Sequence, residues 1–454
     1  MRSIPLPKFN WGVYFIIAFV IRMLFLDMSW YSLIAVMIMI HQFLSFFSVV
    51  GHSIPIRNIF GVFICLQFLL GPAFAYNGLD QYQYFMYRMR IPEEEYFSYA
   101  IPALLAFLGG LNINTGRNEG EIIDEKRISE FVDNNSMLSY YLIGIGFASS
   151  IIAGFFSSDL AFVFYLLGGL KFVGVFMMIF SSKQLKISAI LLVLSSIVIS
   201  SLGQGMFHDL LTWLIMLACV YAIKIKPSLN LKIIALGIFV FIAIIIQLTK
   251  GDYRAKLASG ATGDLDTFEE TYRSSNKNKS IFSFEKLAEN NTRINQGFIL
   301  TNVMYRIPRI MPYSEGVEMK QVVQSAVLPR LLYKDKLKAG DRKFFTKYSG
   351  INLTSSTSMG LGSLSDGYLN YGVFGGCVFM FCLGFLFSLG LIKLHQYSKN
   401  YPVLLLFAPL VYYYPIRPDC ELQTSLGHFI KSLFLIWVIF TIFKKTFYKK
   451  YETA

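Results

Sequence analysis

Apolar runs of roughly membrane-span length recur along almost the whole chain, and this repetition constrains the fold more than any other feature. A bilayer core about 30 Å thick asks for helices of about 20 predominantly apolar residues. Candidate runs fall at 11–26, 30–50, 59–76, 95–113, 138–156, 161–181, 187–206, 209–225, 233–249, 373–394, 402–416 and 428–443. The run at 402–416 holds Pro409 and ends in Tyr412-Tyr413-Tyr414-Pro415, so it reads as a broken or re-entrant helix. Of 454 residues 55% are hydrophobic and 15% charged, against about 25% charged in soluble domains. Lipid, not one soluble core, must take that excess. The expected fold is an all-α integral membrane protein with 12 transmembrane helices and one large outer loop containing short helices.

A net charge of +13 could suggest nucleic acid as a partner. The positions of the cations argue against it, because most lie in short segments between apolar runs, where they set topology. With the N-terminus inside, the even-numbered connections and both tails hold 17 lysines and arginines, among them Arg57, Arg127, Lys224 and Lys399. The short outer connections hold three, Arg88, Arg90 and Arg417. That asymmetry places both termini on the cytoplasmic side and residues 250–372 outside. The chain divides accordingly into a membrane bundle over 1–249, a large outer loop over 250–372 and C-terminal membrane helices with a tail over 373–454. The first run lacks a small-residue cleavage site and reads as a retained anchor. Cys65, Cys219, Cys377 and Cys382 lie within apolar runs, leaving Cys420 alone near water, so neither a disulfide framework nor a CxxC metal site is expected.

The loop carries 18 Lys+Arg against 12 Asp+Glu, and at this length it is expected to be functional. Its polar stretch from Ser259 to Ser283 reads as mobile; from Phe284 onward apolar residues return at helical spacing, predicting short helices on the membrane surface. Three clusters stand out. One is Asp252-Tyr253-Arg254, where the ninth run emerges; the second is Arg293, Arg306 and Arg309. The third runs from Leu328 to Gly376 through Pro329-Arg330, Lys334-Asp335-Lys336, Thr357 to Gly362 and Asp366-Gly367-Tyr368-Leu369-Asn370. Arginine grips phosphate oxygens in pairs and stays charged at any working pH. A diphosphate leaving group needs such neutralisation as its charge develops, which points to a lipid-linked diphosphate with its tail in the bilayer. Asp366 or Glu315 is the candidate general base toward a sugar hydroxyl.

Each of these residues also has a plainer reading. Arginines in an exposed loop are often only solvated surface, Asp366 can cap a turn, and Gly372, Gly375 and Gly376 can simply permit close helix packing. Within the runs, Arg22, Lys171 and Lys431 should snorkel or face the bundle interior. His208-Asp209 and the group Arg417, Asp419, Glu421 and His428 fall on the same side as the loop and can complete a site there. The five histidines show no HExxH or paired spacing, and no phosphate loop or GxGxxG is present, so neither metal nor nucleotide cofactor is expected.

The segment Val327-Leu328-Pro329-Arg330, Lys334-Asp335-Lys336, Thr357 to Gly362, Asp366 to Gly372 and Gly375-Gly376 resembles the bacterial O-antigen and capsule repeat-unit polymerases and the broader O-antigen ligase group. Leu69-Leu70-Gly71-Pro72 is similar to an early motif of that family. The sequence departs from its pattern at Leu337, where proline is usual, at Asp366, where glutamate is common, and at Gly203-Gln204-Gly205, where an arginine is common. The resemblance implies a metal-independent glycosyltransferase of the bacterial inner membrane, its large loop periplasmic. The growing glycan would move from undecaprenyl diphosphate onto a fresh lipid-linked repeat unit, with a chain-length regulator as protein partner. By position it implies Arg254, Arg306 or Arg309, and Arg330 as the essential arginines, which join Asp366, read above as the base, as the catalytic candidates. Arg293, Lys334, Lys336, Tyr368, Asn370, His208 and Arg417 are then expected to bind substrate. A ligase acting on finished chains and a flippase of the lipid-linked unit are the alternatives. The absence of a second large loop in the first half weighs against a transporter, which usually shows internal repeats.

Overall fold

The computed structural model describes residues 10–113, 123–156, 158–183, 187–275, 283–328, 333, 336–337, 340–353 and 358–443, with the backbone alone at 158–161. These residues form helices and turns, with no strand among them. The first half contains α1 (Trp11–Leu24), α2 (Trp30–Val49), α3 (Ile56–Tyr82), α4 (Glu93–Leu111) and α5 (Glu125–Asn134). It continues with α6 (Ser136–Phe155), α7 (Phe162–Phe180), α8 (Ile187–Gln204), α9 (His208–Ile225) and α10 (Leu229–Ala258). Five shorter helices follow: α11 (Leu265–Ser275), α12 (Phe284–Ile294), α13 (Gly297–Arg306), α14 (Val317–Val327) and α15 (Arg342–Ser349). The chain closes with α16 (Ser363–Ser398), α17 (Pro402–Val411) and α18 (Leu422–Ile442).

Among the described residues nine helices are long and apolar enough to cross a membrane: α2, α3, α6 to α10, α16 and α18. Three of the expected spans are not in this group. With 14 residues α1 rises about 21 Å, short of a hydrocarbon core of about 30 Å. The α17 run opens as a 3₁₀ helix over Pro402–Phe407 and ends at Val411, in keeping with a broken helix. In α4 the first turn is Glu93, Glu94 and Glu95, which removes it on composition although it has 19 residues. Boundaries shift as well. Helix α10 runs on to Ala258, and α16 begins at Ser363 with a break at Gly372 (φ 67°), a left-handed conformation that glycine adopts without cost.

The most consequential departure lies in α3. A π-helical turn at Leu66–Leu70 and Pro72 interrupt the backbone ladder in mid-helix. Proline supplies no N–H, and an unpaired carbonyl in lipid costs several kcal/mol. Two carbonyls freed by this break, and a third beside it, accept from elsewhere. Tyr96 on α4 donates its hydroxyl to the Phe68 carbonyl at 2.8 Å, and the Gln296 amide donates to the Gln67 carbonyl at 3.0 Å. The Asn291 side-chain amide donates to the Gly71 carbonyl at 3.0 Å. The approach is close: a Cβ on Gly71 would lie 2.8 Å from the Asn295 Cα, and one on Gly297 would lie 2.6 Å from the Tyr96 hydroxyl.

Part of the segment after α10 packs into the bundle: Phe298, Ile299, Leu300 and Val303 of α13 are buried. Of the polar stretch after α10, the described residues to Ser275 include α11. Asp264 accepts the Thr267 amide at 2.8 Å and starts α11, and Phe268 packs 5.3 Å from Tyr253 and 5.4 Å from Phe207.

Helices α4 and α16 form the central pair. Gly110 and Gly384 sit where a Cβ would collide with the carbonyls of Phe381 and Phe107, and a Cβ on Gly376 would lie 2.6 Å from the Tyr99 hydroxyl. Small residues let the two backbones touch, as in membrane helix pairs generally. Of the three glycines with a packing reading, Gly376 fills that role directly. Tyr99 then donates to the Leu364 carbonyl at 2.8 Å and ties the start of α16 to α4. Replacing Tyr96 with Phe leaves the Phe68 carbonyl unpaired, so a loss of about 1–3 kcal/mol is expected. It is read as a lower thermal midpoint of the detergent-solubilised protein, and an unchanged midpoint would show that water reaches the break.

Candidate anion-binding site

Four cations from three distant stretches of chain converge at one end of the bundle. Lys250 and Arg254 lie one turn apart near the end of α10, Arg293 lies in the last turn of α12, and Arg417 lies in the turn before α18. Lys250 is within electrostatic reach of Arg254, Arg293 and Arg417, with Asp419 the one carboxylate close enough to count. The Arg293 Nη2 atom lies 3.4 Å from where a Cβ on Gly251 would sit, so α10 and α12 meet through a side-chain-free position. Arg254 packs over Gly205, the left-handed residue (φ 61°) that ends α8.

Lys250, Arg254 and Arg293 form no ion pair and no side-chain hydrogen bond among the described residues. Arg254 and Arg293 are exposed and Lys250 is half-buried. Like charges gathered with so little counter-charge repel one another, so this cluster is a candidate anion site.

Arg417 is held differently. Its Nη1 lies 3.6 Å from Asp209 and its Nη2 3.6 Å from Asp419, and the guanidinium sits 5.1 Å from the Tyr414 ring centre. Burial weakens the charge, but Asp419 and Asp209 outweigh it and hold the group above its ordinary pKa. Nη1 is buried without a hydrogen-bond acceptor. Arg417 also lines a small cavity with Ser363, Pro418 and Leu422. His208 reaches Asp209 at 2.6 Å and so joins the same edge.

Of the residues picked out in the sequence, Arg254, Arg293, Arg417 and His208 are therefore brought to one place. The others are not. Arg309 is paired with both carboxylate oxygens of Glu95 at 2.7 and 2.8 Å, which neutralises it. Arg306 lies against the left-handed Gly350, its Nε buried without a partner. Lys336 donates to the Leu328 carbonyl at 3.0 Å, closing its own turn.

Asn370 is consumed by structure. It accepts from the Ser314 hydroxyl at 2.7 Å and the Met319 amide at 3.0 Å, and donates to the Asp366 carbonyl at 2.8 Å. Tyr368 is buried between Tyr99 and Tyr313 and donates to the Ile307 carbonyl at 3.3 Å. These contacts tie both side chains into the fold. Glu315 is exposed at a left-handed turn (φ 48°) ahead of α14. Arg330 and Lys334 lie outside the described residues.

Asp366 is buried and lines a second small cavity together with Glu421 and Asp341. No group of three or more His, Cys, Asp or Glu side chains able to hold a metal is found among the described residues. Lys250 is the cation that sequence reading missed. Its signal was present: a lysine closing a long apolar run, four residues before an arginine on the same helical face.

Comparisons with protein-family models, with curated proteins and with solved structures each find no match for this chain.

Burial pushes the Glu421 carboxyl above the ordinary glutamate value, against the Gly340 amide, Gln423 and Thr424, which favour its charge. The native state then binds the proton more tightly than the unfolded chain. The stabilisation is complete below about pH 4.3 and is lost as pH rises through the folded value. Glu421→Gln is expected to flatten the fall in thermal midpoint over that window. Glu95→Gln, which breaks an exposed pair, should lower stability by no more than about 1 kcal/mol, measured in the same thermal scans.

Proposed function

We propose that this protein is a metal-independent glycosyltransferase acting on a lipid-linked diphosphate: a repeat-unit polymerase of surface polysaccharide in the bacterial inner membrane. The observation that carries this reading is the unneutralised group Lys250, Arg254 and Arg293 beside Arg417, at the end of a long apolar helix. Residues of α10 from Leu229 to Phe241 are mostly exposed and apolar, as a lipid-facing helix is. The helix turns polar at Thr249-Lys250. A polyprenyl tail lying along α10 would bring its diphosphate to the level of the cluster. Lys250, Arg254 and Arg293 there offset the charge that develops on the diphosphate as the glycosidic C–O bond breaks. The cation tally along the chain supports placing this end, and the loop, on the periplasmic side.

The test is transfer in proteoliposomes with an undecaprenyl-diphosphate-linked oligosaccharide as sole substrate. A charge-assisted hydrogen bond of 1.5–3 kcal/mol predicts a loss of about 10–100-fold for each of Arg254→Ala and Arg293→Ala. Lys250→Ala should fall in the same range. A wild-type rate from the Arg254→Ala, Arg293→Ala double variant would overturn the assignment. A ladder of growing products identifies a polymerase, whereas transfer of preformed long chains alone identifies a ligase.

A further inference from the structure

We propose that Lys171 marks a docking face for a membrane-spanning helix of another protein, one that carries a carboxylate at mid-bilayer depth. Lys171 stands at the midpoint of α7 (Phe162–Phe180), about 13 Å of helix from either end. Snorkelling serves lysines near helix ends, not one at the centre of a span. The bundle supplies no counter-charge. Lys171 forms no ion pair and no hydrogen bond among the described residues, and no charged side chain lies within electrostatic reach of it. Its ammonium rests against two aromatic rings, Phe147 at 5.2 Å and Phe172 at 5.6 Å from the ring centres. Those faces offset part of the charge, but an ammonium in hydrocarbon is fully offset only by an acid.

The surroundings of Lys171 are open toward the membrane. On α7, Phe164, Leu167 and Lys171 are half-buried at helical spacing, whereas every residue from Phe172 to Phe180 is buried. Lys171 therefore ends the open stripe of that helix. Its backbone is pressed against α6, since a Cβ on Gly146 would lie 2.6 Å from the Lys171 nitrogen. Gly144 and Ile151 lie three and four residues from Phe147, on the same face of α6, and both are exposed. A Cβ on Gly144 would meet nothing within 4 Å, and Ala148, one turn further, is exposed as well. Small residues one turn apart let a second helix backbone come close.

Charge complementarity selects the occupant. A second copy of this chain cannot supply the acid: within its nine long apolar helices the acidic residues are Asp80, Asp209, Asp252 and Asp366, each toward a helix end. None stands at the level of Lys171. The partner is thus a different protein whose helix bears aspartate or glutamate near its middle. This inference stands apart from the glycosyltransferase reading, and its test uses no glycan.

The experiment places the full chain, labelled with a donor dye, in lipid vesicles with acceptor-labelled synthetic helices of about 20 leucines. One helix has a single glutamate at its centre, one has a lysine there and one has leucine throughout. Because the polar residue is central, either orientation of the helix presents it at the same depth. Energy transfer is expected to show the glutamate helix bound about 5–30-fold more tightly than the leucine helix, the range of a polar contact between membrane helices. Lys171→Leu should abolish that preference. Lys171→Glu should release the glutamate helix and capture the lysine helix, an exchange that a folding defect cannot produce. Equal binding of the glutamate and leucine helices by the wild type overturns the proposal, as does a preference that survives in Lys171→Leu or a Lys171→Glu variant that ignores the lysine helix. Energy transfer between two labelled copies of the wild type that is lost in Lys171→Leu would assign the face to self-association and overturn it too.

Discussion

The structure depends on a helix that breaks inside the bundle. At Leu66–Leu70 and Pro72 the ladder of α3 opens, and in a water-free interior each freed carbonyl must find a donor from protein. Tyr96 and the Gln296 amide provide them for Phe68 and Gln67, and Asn291 adds a second donor at Gly71. Two of those three donors belong to the segment after α10, so the break fixes where that segment sits. It draws the end of α12 and the start of α13 into the helices, and Arg293 arrives beside α10 as a consequence. Mutating Asn291 should therefore act on the cation cluster as well as on stability, because one contact positions both.

A second constraint is the seam between α4 and α16. Gly110 and Gly384 allow carbonyl and Cα to approach across it, and no residue with a side chain fits at either position without moving a backbone. The first turns of α16, ahead of the break at Gly372, are tied to α4 by Tyr99, which donates to the Leu364 carbonyl. Asp366 and Ser363 thereby keep fixed positions against the turn that carries Arg417.

Charge is distributed unevenly over these parts. Arg309 meets Glu95 and Arg417 meets Asp209 and Asp419, whereas Lys250, Arg254 and Arg293 meet no acid at hydrogen-bonding distance. Repulsion among three neighbouring cations disfavours the folded state. A bound anion would relieve it, so the cost is concentrated where a ligand can repay it.

The sequence by itself determined the class of the fold. Long apolar runs can satisfy their backbone in lipid only as helices, which is why most spans were legible from composition and length. The expected spans outside the nine are those where length or charge is marginal: Trp11–Leu24, Pro402–Val411 and the glutamate-led Glu93–Leu111. It also supplied the residue types of the site, since Arg254, Arg293, Arg417 and His208 stood out as polar groups beside apolar runs. What the tertiary structure alone decided was which of them meet. Arg254, Arg293 and Arg417 are far apart in the chain, and Arg309 looked no different from Arg293 until Glu95 was found against it. Asn370 and Tyr368 likewise read as ligands until their partners Ser314, Met319 and Ile307 appeared. Helical periodicity records which face of a segment is apolar, but not which distant carbonyl or carboxylate that face will meet. That pairing is set by the break in α3 and the glycine seam, through contacts between residues that no local pattern connects.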